Sequence, residues 1–350
     1  MKTSSVSSAA ISNAMRYQQG RMQADLVKAQ KELDSGRVAD VGLALGTRTA
    51  QSVTFARDLD RLNGIVDSNA LITSRLTSTQ NALGQLVDTA QTLLAALPSA
   101  VSGDMASDVT RDSGTAALQS MTAILNTSVN GEYLFAGTNT DVKPIDDFTA
   151  AGSPAKAALD AAFLAHFGFA QDDPAAAGIT ATDMDDFITD DVMPQFMGAG
   201  WQANWSNATD ERIVSRIALN ETTETSVSAN NDGVKKLAMA AAIVSDLFSS
   251  PTMSADAKRT VASRAFSLVG EAVSDLGQVQ SQAGIIENRV LQATDRMKTQ
   301  ADLFDKHISD LEGVDYYEVS NRISDLTDHI QTSLALTARI HQLSLLNYLT

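Results

Sequence analysis

LNGIVDSNALITSRLTSTQNALGQLVDTAQTLLAAL (62–97) is the stretch that decides the fold. Its seam steps by four and three through Leu62, Val66, Asn69, Thr73, Leu76, Gln80, Leu83, Val87, Ala90, Leu94 and Leu97. Heptads sustained over that distance signal coiled-coil packing of helix on helix. The helical reading extends back to Arg48 and forward to Leu97, where Pro98 is expected to halt it. Fifty residues rising 1.5 Å each make a rod of about 75 Å, while the average globular helix has roughly 11–12 residues.

The same texture marks both ends of the chain. Residues 1–97 and 252–350 contain no proline, and all six prolines (Pro98, Pro144, Pro154, Pro174, Pro194, Pro251) fall between them. Proline costs about 3 kcal/mol inside a helix, so its absence permits very long ones. A first helix is predicted over Ser4–Ser35, with Gly36 as its stop. Its seam includes Ile11, Met15, Met22, Leu26, Ala29 and Leu33, interrupted by Gln19. After Pro98 a third helix is expected over about 104–129, closing at Gly131, and then the turn-like GEYLFAG (131–137).

Short helices near 155–167 and 183–190 follow, and the alternating, β-branched texture of 201–229 predicts two or three strands. Helix returns over Asp232–Ser249, breaks at Ser250-Pro251 and resumes from Ser254 to the C-terminus. There Gly270, Gly277 and Gly284 recur every seven residues beside the seam Phe266, Val269, Val273 and Leu276. That phase predicts a closely approaching neighbour helix. The fold class is mainly α: a long antiparallel helical coiled-coil rod built from both termini, with an inserted small α+β domain. The expected division is 1–57 with 315–350 (terminal helices), 58–137 with 232–314 (rod) and 138–231 (acidic insert).

Charge separates these regions. The formal net charge of −16 argues against a nucleic-acid partner. Residues 141–191 hold eleven Asp against Lys143 and Lys156, while 1–57 hold eight Lys/Arg against four Asp/Glu. The asymmetry points to ends that contact other subunits and a middle that faces water. The chain has no cysteine, hence no disulfide framework and no thiolate zinc site. MKTSSVSSAAISNAM lacks the apolar run of a signal peptide, and no segment reaches the ~18 apolar residues of a membrane span.

Catalytic patterns are missing from the sequence. His166, His307, His329 and His341 are scattered, and no phosphate-cradling loop or nucleophile elbow occurs. Asp183, Asp185, Asp186, Asp190 and Asp191 could offer oxygens to Ca²⁺, but they lack the EF-hand glycine and terminal Glu. They read as a solvated helix face. Trp201 and Trp205 are expected to pack a core. No enzyme activity, cofactor or metal is expected. The terminal helices can pair, yet two amphipathic helices leave a second apolar face uncovered, and such faces mark partner surfaces. The expected assembly interface is Ile11, Met15, Met22, Leu26, Leu33, Val319, Ile323, Leu326, Ile330, Leu334, Leu345, Leu346 and Leu349.

Five stretches resemble the flagellin superfamily, and within it the junction proteins that join hook to filament. KAQKELDSGRVAD (28–40) is similar to the end of the family's N-terminal helix. NGEYLFAGTNT (130–140) resembles its turn out of the helical domain. GIIENRVLQATDR (284–296), DLEGVDYYEV (310–319) and LSLLNYL (343–349) resemble its C-terminal helix, acidic joint and closing helix. One departure is plain: the family's Asp-Asp-Pro turn is replaced here by Asp40 followed by VGLALG. The resemblance implies a structural, non-enzymatic subunit of the extracellular flagellum, exported through the flagellar type III channel without a cleaved signal. It implies as partners the hook-side junction protein, flagellin, copies of the chain itself and an export chaperone. Filament subunit is the near alternative, and a cytoplasmic coiled-coil scaffold the remote one.

Overall fold

The computed structural model describes residues 8–103 and 106–346, with side chains between 10 and 339 apart from Ser12. It is mainly α. In chain order the helices are α1 (Ser8–Ser35), α2 (Val41–Leu45), α3 (Thr49–Ser102), α4 (Ser107–Leu125), α5 (Pro154–Phe167), α6 (Ala181–Phe187), α7 (Met193–Met197), α8 (Gly200–Asn204), α9 (Asp232–Leu247), α10 (Ala255–Glu312) and α11 (Tyr316–Leu346). Two antiparallel hairpins complete it: β1 (Ser128–Val129) with β2 (Glu132–Tyr133), and β3 (Val214–Ala218) with β4 (Glu221–Glu224). The chain divides into two compact units, one of residues 1–64 with 298–350 and one of 65–297.

The 65–297 unit holds the large core. Every predicted seam residue of α3 from Val66 to Leu97 is buried or half-buried. The polar seam positions are used: Asn69 Nδ2 donates to the Ile217 carbonyl (2.8 Å) and to Thr294 Oγ1 (3.0 Å), and Gln80 donates to Glu287. A polar group at one seam position fixes register at some cost in stability. Pro98 does not end α3, which runs on to Ser102 with Pro98 inside it. The proline is exposed while Leu97 and Ala100 on either side are buried, so their packing holds the last turn against one lost N–H.

α4 is shorter than its sequence suggests. Asn126 closes it by donating Nδ2 to the Ile145 carbonyl (2.9 Å) and accepting the Ile145 N–H (3.1 Å). GEYLFAG then earns its composition. Asn130 and Gly131 both have positive φ (54° and 86°) and turn β1 into β2, as two-residue hairpin loops require. Leu134, Phe135 and Ala136 are buried to 1% or less. Gly137 has φ 68°, and a Cβ there would run into the Thr209 and Glu211 carbonyls.

The expectation for the heptad glycines fails. Gly270 and Gly277 face open space, and a Cβ on Gly284 would touch only the end of Gln80 at 3.5 Å. Close approach occurs instead at Gly114, where a Cβ would stand 2.8 Å from Ser245 N and Val244 Cγ1, and at Gly233, where one would stand 2.9 Å from Leu276. The 201–229 texture does yield two strands, the β3–β4 hairpin, while Trp201 sits in α8 with its carbonyl accepting the Trp205 N–H at 2.9 Å. Both tryptophans are buried and stacked, with centroids 5.7 Å apart.

Candidate assembly surface

The 1–64 and 298–350 unit is built around a joint where four segments meet. α1 stops at Gly36 (φ 68°), whose N–H reaches the Glu32 carbonyl at 2.9 Å. The chain then crosses residues 312–314: Val38 N–H donates to the Glu312 carbonyl (2.8 Å) and Val314 N–H to the Gly36 carbonyl (3.1 Å). The Tyr316 ring lies against Gly36, so that a Cβ there would stand 2.6 Å from its hydroxyl. The positive φ is what calls for glycine here, since the exposed Tyr316 hydroxyl could swing aside.

Glu312 pins the joint. It is 8% exposed, accepts a hydrogen bond from Ser52 Oγ and lies 3.5 Å from the Arg37 guanidinium, which also reaches Asp305. A buried carboxylate must be paired in this way or its burial is costly. Asp40 caps α2 through Leu43 N–H (3.0 Å), and Asp315 caps α11 through Tyr317 N–H (2.8 Å). The helix expected to run unbroken from Ser254 is therefore two, split by Gly313–Asp315. Behind the joint Phe55 stacks on Phe304 and His307, with centroids 5.6 and 5.3 Å away.

From the joint α1 and α11 run back side by side, antiparallel. Arg322 bridges to Glu32 at 3.0 Å near the joint, and Thr337 Oγ1 approaches Met15 Sδ at 3.8 Å farther out. The facing seams are Met15, Gln19, Met22, Leu26, Ala29 and Leu33 on α1, and Val319, Ile323, Leu326, Ile330, Ser333 and Thr337 on α11; all are buried or half-buried. Of the expected interface residues, the structure thus brings together Met15, Met22, Leu26, Leu33, Val319, Ile323, Leu326 and Ile330 between two helices of the same chain. Ile11 (38% exposed) and Leu334 (50%) stand at the margin. The side chains of Leu345 and Leu346, and Leu349 entirely, lie outside the described residues.

This pairing leaves much uncovered. In α1 and α11 only Ala29 and Val319 are fully buried among the described side chains. Tyr17, Val27, Tyr317, Leu334 and Leu336 are exposed. The sequence did not foresee Ser52, Phe55 and Glu312 as joint residues; a Glu directly before Gly-Val-Asp at a helix break was the available signal.

The acidic run has local structural uses. Asp183 forms a capping box with Thr180, and those hydrogen bonds hold its carboxyl below the usual value. Asp185 is held low by Arg264, which donates to it from Nε and from Nη2 at 2.7 Å. Asp191 meets His166 at 2.6 Å. Among the described residues no three His, Asp or Glu converge as a metal-binding group, and no helix is long and apolar enough to cross a membrane.

Comparison with known proteins matches both ends. The family model of the bacterial flagellin N-terminal helical region matches residues 6–140, and that of the C-terminal helical region matches 266–349. No curated protein matches the chain. Among solved structures, a provisionally assigned flagellar hook-associated protein from Vibrio parahaemolyticus is similar in fold. Its TM-score is 0.50 at 10% identity, over 76% of this chain and 97% of that one. At such identity the likeness speaks for fold alone.

Proposed function

We propose that this chain, which belongs to the flagellin superfamily and is a structural protein of the flagellar axis, joins hook to filament by polymerising through its terminal helices. The observation that carries the reading is the paired α1 and α11, with one fully buried described side chain each. Helices of 28 and 31 residues so thinly packed gain little by folding alone. Each large apolar side chain fully covered on docking contributes roughly 1.5–3 kcal/mol, which offsets the ordering of the ends.

In this reading residues 1–57 with 315–350 form the inner layer, 58–137 with 232–314 the next, and 138–231 the outer surface. Docking buries Ile11, Leu334, Leu345, Leu346 and Leu349 together with the half-covered seam. Tyr17, which sits where junction proteins often carry an aromatic, favours junction over filament. The Vibrio hook-associated structure agrees in fold. Partners are hook-side and filament-side axial proteins, further copies and an export chaperone, with type III export delivering the chain unfolded.

The test adds purified protein to isolated hooks and images the tips by electron microscopy. A short, self-limiting extension supports the junction role. Long filaments from the protein alone mean a filament subunit, and neither product removes the assembly reading.

A further inference from the structure

Hairpin β3–β4 leaves one backbone edge open. Its register sets Val214 opposite Glu224, Ser215 opposite Thr223 and Arg216 opposite Thr222. Just before β3, the Ile213 carbonyl accepts the Thr225 N–H at 2.8 Å. Hydrogen-bonded pairs alternate with open pairs along an antiparallel ladder, so Ile213 and Ser215 turn their backbone groups toward β4. The N–H and C=O groups of Val214 and Arg216 therefore point the other way. Among the described residues no backbone group outside the hairpin bonds to them.

A groove of about 750 Å³ adjoins this edge. Val214 and Ser215 of β3 line it and no residue of β4 does, so it lies on the open side of the hairpin. Leu71 and Ile72 of α3 and Val129 of β1 line it as well, and Leu71 and Val214 are exposed. Side chains two apart on a strand share a face. Arg212, Val214 and Arg216 are all exposed, whereas Ile213 is half-buried and Ile217 fully buried. The outer face thus reads cation, apolar, cation. Arg212 pairs with Glu224 at 3.0 Å, while no ion pair engages Arg216 among the described residues.

We propose that the β3 edge takes an extended segment of a partner protein as a third strand, with a carboxylate, an apolar side chain and a carboxylate at alternate positions. Main-chain hydrogen bonds to Val214 and Arg216 hold the segment. Its carboxylates stand opposite Arg212 and Arg216, with the apolar side chain opposite Val214. Its intervening side chains turn inward and cover Leu71 and Ile72. Charge chooses this occupant over a second β3. Antiparallel pairing of two copies about Val214 would set Arg212 against Arg216, which is unfavourable, and a charged side chain on an edge strand guards against such self-pairing. The contact involves the 65–297 unit alone and is independent of the assembly reading.

The test titrates the full-length chain into a capped, fluorescein-labelled peptide, Ser-Glu-Val-Val-Val-Glu-Ser, and follows fluorescence polarisation. Saturable binding with a Kd below about 1 mM is expected. The same peptide with lysine in place of both glutamates should bind at least about tenfold more weakly. Val214→Pro removes an outward N–H at an edge position, where proline is tolerated. It should abolish binding while the circular dichroism spectrum and urea midpoint stay those of wild type. Arg216→Glu should weaken the glutamate peptide by about tenfold and strengthen the lysine peptide, a charge swap that decides the matter even where the proline disturbs the hairpin. No saturable binding by about 1 mM, equal binding of the two peptides, or a folded Val214→Pro variant that binds like wild type would overturn the proposal. So would an Arg216→Glu variant whose preference between the peptides is unchanged.

Discussion

Helix α9 buries twelve of its 16 residues, while α11, nearly twice as long, buries Val319 alone among its described side chains. They represent the two units. The principal core spans Ala82 to Ala283 and draws in Phe135, Phe163, Phe187, Phe196, Trp201 and Trp205, all inside the 65–297 unit. The other unit has a pinned joint, one aromatic stack and a pair of long helices with half-covered seams. The difference teaches where free energy is placed. One unit encloses its apolar side chains, whereas the other leaves much of its apolar surface half-covered.

The strongest way to break the comparison is to hollow out the dense unit. Trp201 is 1% exposed, stacks on Trp205 and donates Nε1–H to Asn230 at 2.8 Å. Trp201→Ala should cost about 3–5 kcal/mol, read as a lower urea midpoint by circular dichroism, with trypsin cleavage in 8–35 unchanged. Next comes overpacking. Gly114→Val must push α4 and α9 apart and should cost about 1–3 kcal/mol in the same assay.

The heptad glycines sharpen the contrast with the opposite sign. Gly270→Ala and Gly277→Ala meet nothing, so each should stabilise by about 0.5–1 kcal/mol; a loss would mean a neighbour does approach there. The smallest effect is a surface tie. Asp185 and Arg264 have side chains about two-fifths exposed, so Asp185→Asn should lose no more than about 0.5 kcal/mol at neutral pH. Because Arg264 lowers the Asp185 carboxyl, that contribution is full above the ordinary carboxylate value. It fades as pH falls through the lowered one, so wild type and variant should converge in acid.

Much of this was legible because helix periodicity is a local code. The steps of four and three from Val66 to Leu97 and from Met15 to Leu33 mark the observed seams. What periodicity cannot tell is which partner covers a seam. Gly270, Gly277 and Gly284 share a phase, yet nothing lies over the first two and only the end of Gln80 reaches the third, while Gly114 and Gly233, in no repeat, sit beneath neighbours. Pro98 was misread because propensity was weighed without the burial of Leu97 and Ala100. The β-branched pattern after 201 was legible as the β3–β4 hairpin, while Trp201 and Trp205, four apart, form a helical turn packed on a core. The joint was not legible, since Ser52, Phe55 and Glu312 meet only once distant segments have folded together.

Hydrogen exchange measured by mass spectrometry on the free chain, and again on the chain assembled on hooks, is the most direct test. The account predicts fast exchange through 8–35 and 316–346 in the free protein, slow exchange in α9 and in α3 beyond Val66, and strong protection of both terminal helices after assembly. Terminal helices as protected as α9 in the free monomer, and unchanged on hooks, would contradict it.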